Sequence, residues 1–550
     1  MPVPISSLSG VLNTARLGLY ASQAAIRVTG NNIANVNTPG YARQRVILDP
    51  SRFGDGVNVR LIQSLRNQFF DRQLANEREV LGQAASRQSA LSRAELIFDE
   101  TSGVGINTAM GELFQGIQDL TAGPDGTAER ESVRSRAEAL ARVFGSVRSR
   151  LEQVRQDTDD EVMRLLTQIN GLAAQIADLN SQITRQSADQ PPNELIDERL
   201  RLVGELSELV GVQVIDDKGS LTILTAGGQT LVEGSKSATL SAQPNAANEG
   251  LNDVYFTRFD GQRVNISKTV QLGRLGGALD VRDKDLAAQL RQLDQLSAQF
   301  VTEFNLRHRQ GTGLDGITDR DFWEMAQVSS RPGANNQGGV GATASAIVDQ
   351  SLLTFHDYEI RFTSPTAYDI VDATTGTTIS AGNAYAGPTT AIFDGLSLTL
   401  DSASGPPQAG DVIRVNSYTG TASNMRLSAA VLADLSAIAA GQSAEPGDNR
   451  NALNLAMLES DLVLRGGTAT FSDVFAAQVS TLGVSAQQAE RMFETQNLVV
   501  QQVASLVDSV SGVSIDEEST NLIQFERAFQ ASSRLAVVVD EMLQTIVNLV

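Results

Sequence analysis

The sequence predicts an α+β multidomain chain. Its N- and C-terminal segments form a long helical bundle or coiled coil, and antiparallel β-domains are inserted in the middle. Three observations lead there. Apolar residues step by threes and fours near both ends, and the same spacing runs without a breaker between Pro124 and Pro191. The centre switches to short alternating stretches punctuated by glycine. A chain of 550 residues also exceeds what one hydrophobic core supports, so several packed units are expected.

At the N-terminus, Ile5, Leu12, Leu19, Ile26 and Ile33 recur at heptad spacing. Leu8, Ala15, Ser22 and Thr29 fill the alternate row, which fades to small and polar side chains. Thr38-Pro39-Gly40 should end this helix, because proline forbids continuation and glycine permits a turn. The C-terminus mirrors it: Leu522, Phe525, Phe529, Ser532, Ala536, Val539, Leu543, Ile546 and Val550 form one seam. Ser514 lies three before Glu517, a capping-box spacing that marks the helix start. The two terminal stripes are expected to bury each other and to form an assembly interface. A further seam runs upstream from Phe475 through Leu482, Ala489 and Val503 to Val510.

Between Pro124 and Pro191, Val133 to Val154 and then Val162 to Ile183 keep the same steps, with one extra step of four after Thr158. Such a stutter unwinds a supercoil locally without ending the helix. The helix can approach ~90 Å, a rod rather than a pocket. Short strands such as Leu221-Thr222-Ile223-Leu224 follow, then a helix over 281–308 entered through a turn at Gly273-Arg274-Leu275-Gly276-Gly277. Residues 329–345 read as a loop, and alternation at Tyr358, Ile360, Phe362 and at Leu396, Leu398, Leu400 reads as a small antiparallel domain closed by Pro446-Gly447. The expected divisions are 1–50, an axial helix and its exit; 51–211, the long-helix domain; 212–280, a small β-rich segment; 281–310, a returning helix; 311–445, an inserted outward β-domain; 446–510, the second part of the helical domain; and 511–550, the C-terminal axial helix.

Composition narrows the chemistry. Lys and Arg number 43 against 64 Asp and Glu, a net charge of −21, which repels phosphate backbones and anionic bilayers. No nucleic-acid partner and no membrane insertion are expected, since no uninterrupted apolar stretch reaches spanning length. The absence of cysteine removes disulfides, thiolate catalysis and Cys/His zinc sites. The two histidines, His308 and His356, have no catalytic partner nearby in sequence, and His308 reads as a hydrogen-bonding residue at a helix end. Asp159-Asp160-Glu161 reads as a solvated helix face, and Asp516-Glu517-Glu518 as acids favourable to a helix N-terminus. Asp315, Asp319 and Asp321 lack the spacing of a calcium loop and read as surface. No catalytic residue, metal site or cofactor is expected, and the chain does not read as an enzyme.

One run is more specific. Asn31-Asn32-Ile33-Ala34-Asn35-Val36-Asn37-Thr38-Pro39-Gly40-Tyr41 resembles the N-terminal signature of flagellar rod, hook and hook-associated proteins. Asn193-Glu194-Leu195-Ile196-Asp197-Glu198-Arg199, Leu231-Val232-Glu233-Gly234, Phe304-Asn305 with His308 and Gly311, Pro446-Gly447-Asp448-Asn449, and Ser511 to Glu518 with Asn521-Leu522 resemble the hook–filament junction family within that group. Glu194 departs from that family's usual aspartate. The resemblance covers both ends and the helical interior and is weakest over 312–445. It implies a structural subunit, exported unfolded by the flagellar type III route with help from a cytosolic chaperone. Its terminal helices would be disordered until assembly, when the chain would join a homo-oligomeric ring with hook protein on one side and the next junction protein on the other. Another axial component, a hook or rod protein, shares the same signature and is the alternative.

Overall fold

The computed structural model describes residues 5–51, 56–98, 100, 103, 105–186, 191–217, 220–402 and 405–548, with side chains from residue 8 onward. Helix α1 (Ile5–Ala34) is followed by a hairpin of β1 (Gln44–Pro50) and β2 (Val57–Ser64), then α2 (Gln68–Glu95), α3 (Ile106–Ala122), α4 (Thr127–Gln186) and α5 (Asn193–Leu209). The expected boundary after residue 50 therefore falls within a hairpin. Val57, Val59 and Leu61 alternate after Gly54 and Gly56, which is the sequence signal for it.

The long helix α4 is one unbroken rod of 60 residues. Val133, Leu140, Phe144, Leu151 and Val154 belong to one core, whereas Val162, Ile169 and Ile176 belong to another. The stutter after Thr158 is where the rod changes cores. The layer between them is polar and buried: Arg155, Thr158 and Asp159. Asp159 is 1% exposed and pairs with fully buried Arg282, and it accepts from the side chain of Asn252 at 2.7 Å. The expectation that Asp159 faces water is thus corrected. Its partner lies 123 residues away in sequence, where no periodicity could show it.

The second core packs α4 and α5 under two antiparallel sheets. One orders β3 (Val212–Asp217), β4 (Ser220–Thr225), β5 (Thr230–Glu233) and β6 (Lys236–Ser237). The other orders β7 (Thr239–Pro244), β8 (Asn252–Thr257) and β9 (Arg263–Asn265). Gly276 and Gly277 are helical rather than a turn, within α6 (Gly273–Asp280), which Gly273 opens at a left-handed φ of +72° and which passes through a π-turn at Val281–Asp285 into α7 (Leu286–His308). They are glycines because backbones touch there. A Cβ on Gly277 would sit 2.4 Å from the Gln83 carbonyl oxygen, and one on Gly82 would sit 2.0 Å from that of Glu208. Gly82→Ala is expected to lower the melting temperature by several degrees, since rigid backbone cannot yield. An unchanged thermal melt would contradict this contact.

Strands β10 (Ser329–Pro332), β11 (Gly341–Ile347), β12 (Tyr358–Ser364), β13 (Ala367–Asp372), β14 (Thr377–Ala384), β15 (Thr389–Phe393), β16 (Leu396–Asp401) and β17 (Val412–Asn416) form the inserted unit. A five-stranded sheet, β10-β17-β12-β13-β14, faces a three-stranded one, β11-β16-β15, across Ile360, Phe362, Ile370, Leu398, Leu400 and Ile413. Residues 329–345, expected as a loop, supply β10, paired with Val412–Asn416, and the start of β11, whose small side chains suit pairing beside Leu396–Asp401. The flanks of 311–445 belong elsewhere: Phe322, Trp323, Met425, Val431 and Ile438 pack in the first helical core. The chain then runs through α8 (Thr421–Asn424), α9 (Ala429–Ala433), α10 (Arg450–Met457), α11 (Phe471–Ser511) and α12 (Ile515–Asn548). A full capping box occurs at Thr470 and Asp473. At Ser514 only a 3.5 Å contact to the Glu517 amide forms, because the Glu517 carboxylate turns to Arg43 instead.

His308 is buried where the body closes. Its Nδ1 donates to the Arg320 carbonyl at 2.8 Å, and its Nε2 accepts from the Ala439 amide at 2.9 Å, so a proton on Nε2 would face a donor. Burial pulls its pKa down to about 4. The unfolded chain then binds the extra proton first, so stability is complete above pH 6.5 and falls by ~3 kcal/mol as pH drops toward 4. Glu79 is the opposite case. Burial raises it to about 7 while it accepts from the Val212 amide at 2.8 Å, so its contribution is lost as pH rises from 4.5 through 7. Glu79→Gln keeps that acceptor and is expected to raise stability above pH 7 by ~2–3 kcal/mol in urea titrations. No gain at pH 8 would contradict the assignment.

Candidate functional site: the joint between the chain termini

Helices α1 and α12 lie side by side, as their matching stripes require. On α12 the expected seam turns inward: Leu522, Phe525, Phe529, Leu543 and Ile546 are half-buried and Val539 is buried, with Ser532 and Ala536 between them. On α1 the rows are reversed. Leu8, Ala15, Ser22 and Thr29 are buried, whereas Leu12 is 39% exposed and Leu19, Ile26 and Ile33 are only half-buried. Of the two rows expected to share the seam, the small-residue row is the more deeply buried. The reason is distance: a Cβ on Gly18 would meet Ser532 Oγ at 2.7 Å, an approach only the small-residue row permits. The side chains of Ile5 and Val550 lie outside the described residues.

Beyond α1 the signature becomes a joint. Asn32 is almost fully buried and uses its whole amide. Its Nδ2 donates to the Gln44 carbonyl and to Glu518, both at 2.9 Å. Its Oδ1 accepts from the Tyr41 hydroxyl at 2.8 Å and the Gln44 amide at 3.0 Å. Glu518, on the first turn of α12, also takes Arg43 Nε at 2.7 Å, while Arg43 Nη1 reaches Glu517 at 2.8 Å. The Arg43 amide donates to the carbonyl of Ser511, the last residue of α11. The second acidic cluster thus does more than suit a helix dipole: it binds the two termini together.

The same joint grips the long-helix body. The Ala42 amide donates to Asp197 at 3.0 Å, Arg66 holds the other oxygen of Asp197 at 2.9 Å and reaches the Gly40 carbonyl, and Asn193 donates to the Ile62 carbonyl. Gly40 has a left-handed φ of +81° with Arg201 against it. Burial, then the charges of Asp197, Glu194 and Glu518, push the Tyr41 hydroxyl up to about 12, so it stays a donor. Burial also raises Asp197 against the pull of Arg66. The stretches 31–41, 193–199 and 511–518, singled out separately in the sequence, meet in one network. Arg43 and Arg66 were missed, since nothing in their neighbourhood marks them.

The rest of the signature faces out. Asn31, Ala34, Asn37 and Thr38 are exposed, with Asn35 bonding Thr38 and the Asn31 carbonyl. Asn35 to Tyr41 and Asp508 to Ser514 line an open crevice of about 570 Å³. Exposed apolar side chains continue along α11 and α12 at Leu498, Leu506, Val510, Ile523, Val537, Val538 and Met542. A window of mean hydropathy 1.4 within Phe471–Asn548 is long and apolar enough by length and composition to cross a bilayer, and 11% of it is buried. The window arises because an outward apolar row accompanies the inward seam; polar residues interrupt it throughout. No group of three metal-ligating side chains occurs among the described residues.

Two paired terminal helices, locked at one joint and carrying an exposed apolar surface, define the class of an elongated structural protein rather than an enzyme-like pocket. The comparisons agree. Residues 91–323 match the family described as flagellar hook-associated protein FlgK helical domain. Residues 12–41 match flagella basal body rod protein, and 504–549 match the flagellar basal body rod FlgEFG protein C-terminal family. The chain is 30% identical over 98% of its length, and 100% of the relative's, to flagellar hook-associated protein 1 of Escherichia coli (strain K12). It is 24% identical to that of Bacillus subtilis (strain 168) over 98% of its own length and 97% of the relative's. A solved flagellar hook junction protein FlgK from Burkholderia pseudomallei covers 80% of the chain and all of that structure, with a TM-score of 0.70 at 22% identity, which shows the shared fold. The chain belongs to the flagellar hook-associated protein 1 family, structural proteins of the flagellar hook–filament junction.

Proposed function

We propose that this chain works by assembly rather than catalysis, forming a homo-oligomeric ring between hook protein on one side and the next junction protein on the other. The observation that carries it is the reversed row on α1. Val11, Leu12 and Tyr20 are exposed, and Leu19, Ile26 and Ile33 are only half covered beside a seam that Leu8, Ala15, Ser22 and Thr29 fill, so these and the outer face of α12 have neighbours still to meet. Ile5 continues this row by spacing. Leu522, Phe525, Phe529, Val539, Leu543 and Ile546 hold the helix pair together, and the pair forms the inner tube. The inserted sheets over 311–445 face outward, and the helices of 51–211, 281–310 and 446–510 make the body between, with 212–280 packed along it.

A helix whose stripe is in water is marginal alone, so α1 and α12 order fully only when neighbours cover them. This suits unfolded type III export from the cytoplasm, in complex with a cytosolic chaperone, to a final extracellular place at the hook–filament junction. Deleting residues 531–550 is expected to leave export intact and abolish incorporation. The governing test is to delete the gene and image the cells while assaying flagellin in the medium. Hooks without filaments and flagellin lost to the medium support the junction reading. Missing hooks would move the chain to the rod or hook class, and normal filaments would overturn an axial role.

A further inference from the structure

Glu249 sits at an unusual place. It is a non-glycine residue held in the left-handed region, at φ +58°, in the tight turn between β7 and β8. Its Oε1 takes Arg331 on β10 at 2.7 Å, and its Oε2 takes Arg155 on the long rod. Arg155 is itself buried, with Nε donating to the Arg282 carbonyl at 3.1 Å and Nη2 to Asn248 at 3.3 Å. One carboxylate therefore ties the β7–β9 segment, the rod and the inserted β-unit together. The turn is braced from below, where Asn248 donates to Asp283 at 3.1 Å.

The inserted unit otherwise stands on a narrow neck. Its outgoing chain is fixed up to Glu324, whose amide donates to the Arg426 carbonyl at 2.9 Å. Its returning chain is fixed from Gly420, where Asp294 accepts from the amides of Gly420 and Ala422 at 2.8 and 3.1 Å. Between these anchors and the sheets, the neck is held by Phe355 and Tyr418 against Ala298, by Gln295 donating to the Phe355 carbonyl at 3.1 Å and by Gln350 donating to Asp321 at 3.4 Å. A cavity of about 570 Å³ opens beside it, lined by Gln299, Leu353, Phe355, His356, Arg465 and Gly466. Phe355 and Arg465 both carry left-handed φ angles, +57° and +51°, in side chains that disfavour them. Room to move and backbone held out of its usual range meet at one hinge.

We propose that Arg331–Glu249–Arg155 is a clasp that sets the tilt of the inserted β-unit, and that releasing it lets the unit swing about the Phe355–Tyr418 neck. This goes beyond the assembly role and does not depend on it. The clasp lies half-exposed, so a charged group from a neighbouring molecule can compete for Arg331 and reset the tilt without unfolding either domain. Arg155 stays with Asn248 and the Arg282 carbonyl when Arg331 leaves, so the rod is not disturbed.

The test uses the full chain and its lack of cysteine. Spin labels at Thr378→Cys on β14 and Gln168→Cys on α4, both exposed, report the distance between the β-unit and the rod. The intact chain is expected to give one narrow distance distribution by pulsed electron resonance. Arg331→Gln, which touches only the β-unit's arm of the clasp, is expected at least to double its width with the thermal melt unchanged. Glu249→Gln should broaden it likewise, with a lower melt of its own because it also takes the anion from buried Arg155, so the melt is judged on Arg331→Gln. High salt should broaden the intact chain toward the variants. A distribution equally narrow in Arg331→Gln and the intact chain would overturn the proposal. Broadening accompanied by a lowered melt in Arg331→Gln would assign the pair to fold stability instead and would also overturn it.

Discussion

Glu518→Ala is expected to strip the flagellum of its filaments. The substitution leaves Asn32 Nδ2 without its charged acceptor and Arg43 with Glu517 alone, on the exposed side of the joint. Removing one partner from a buried, hydrogen-bonded charge network costs about 3–5 kcal/mol, and here that falls on the buried link between α12 and the signature, leaving only the exposed Arg43–Glu517 pair among the bonds named above. The amides of Ile515 to Asn521 should exchange faster with deuterium by two to three orders of magnitude, ~10²–10³-fold, as local opening becomes easier. Cells carrying the variant should swim like the gene deletion, with flagellin in the medium. Asn32→Ala should behave alike, since it orphans the Tyr41 hydroxyl and the Gln44 amide together. Glu517→Ala is the control: Glu517 is exposed at 62%, and its pair with Arg43 is worth ~0–1 kcal/mol, so motility should persist.

A loss of global stability is expected at the polar layer of the rod. Asp159→Ala leaves Arg282, with no exposed surface, to Asp283 and the Asn252 carbonyl alone, and the Asn252 side chain loses its acceptor. A cost of about 2–3 kcal/mol follows, read as a shift of the urea midpoint at unchanged slope. Asp159→Asn retains an acceptor for Asn252 but not the charge, and should lie between. The double change Asp159→Leu with Arg282→Met removes both charges at once and leaves Asp283, 32% exposed, to water, so it should recover part of the loss. If it does not, the layer works through geometry that apolar side chains cannot reproduce.

Much of this architecture can be read before any coordinates. The C-terminal seam from Leu522 to Ile546 lies where its spacing places it, because an apolar row of period near 3.5 has only one way to be buried. The single rod between Pro124 and Pro191 is equally plain, and its stutter turns out to mark the switch between two cores. What spacing cannot tell is which of two rows faces which partner. On α1 both rows share the heptad spacing, and the close approach of Gly18 to Ser532 goes with deeper burial of the small-residue row than of the large one. Pairings distant in sequence were invisible for the same reason: Asn32 with Glu518, Asp159 with Arg282 and Glu249 with Arg331 obey no local period. The signature asparagines were conspicuous, yet only Asn32 of them enters the buried network, and its role depends on Arg43 and Tyr41 being brought beside it by the turn at Gly40.

The central claim is that the outward row of α1 is covered by neighbouring subunits while the inward row holds α12. It is tested most directly by placing Leu12→Asp, Leu19→Asp and Ile26→Asp together in the deletion host and labelling the chain with antibody at the hook tips under the electron microscope. The account predicts unlabelled, bare hooks, with folded variant protein recovered from the medium. Labelled tips bearing normal filaments would show that these side chains meet no neighbour, and would contradict it.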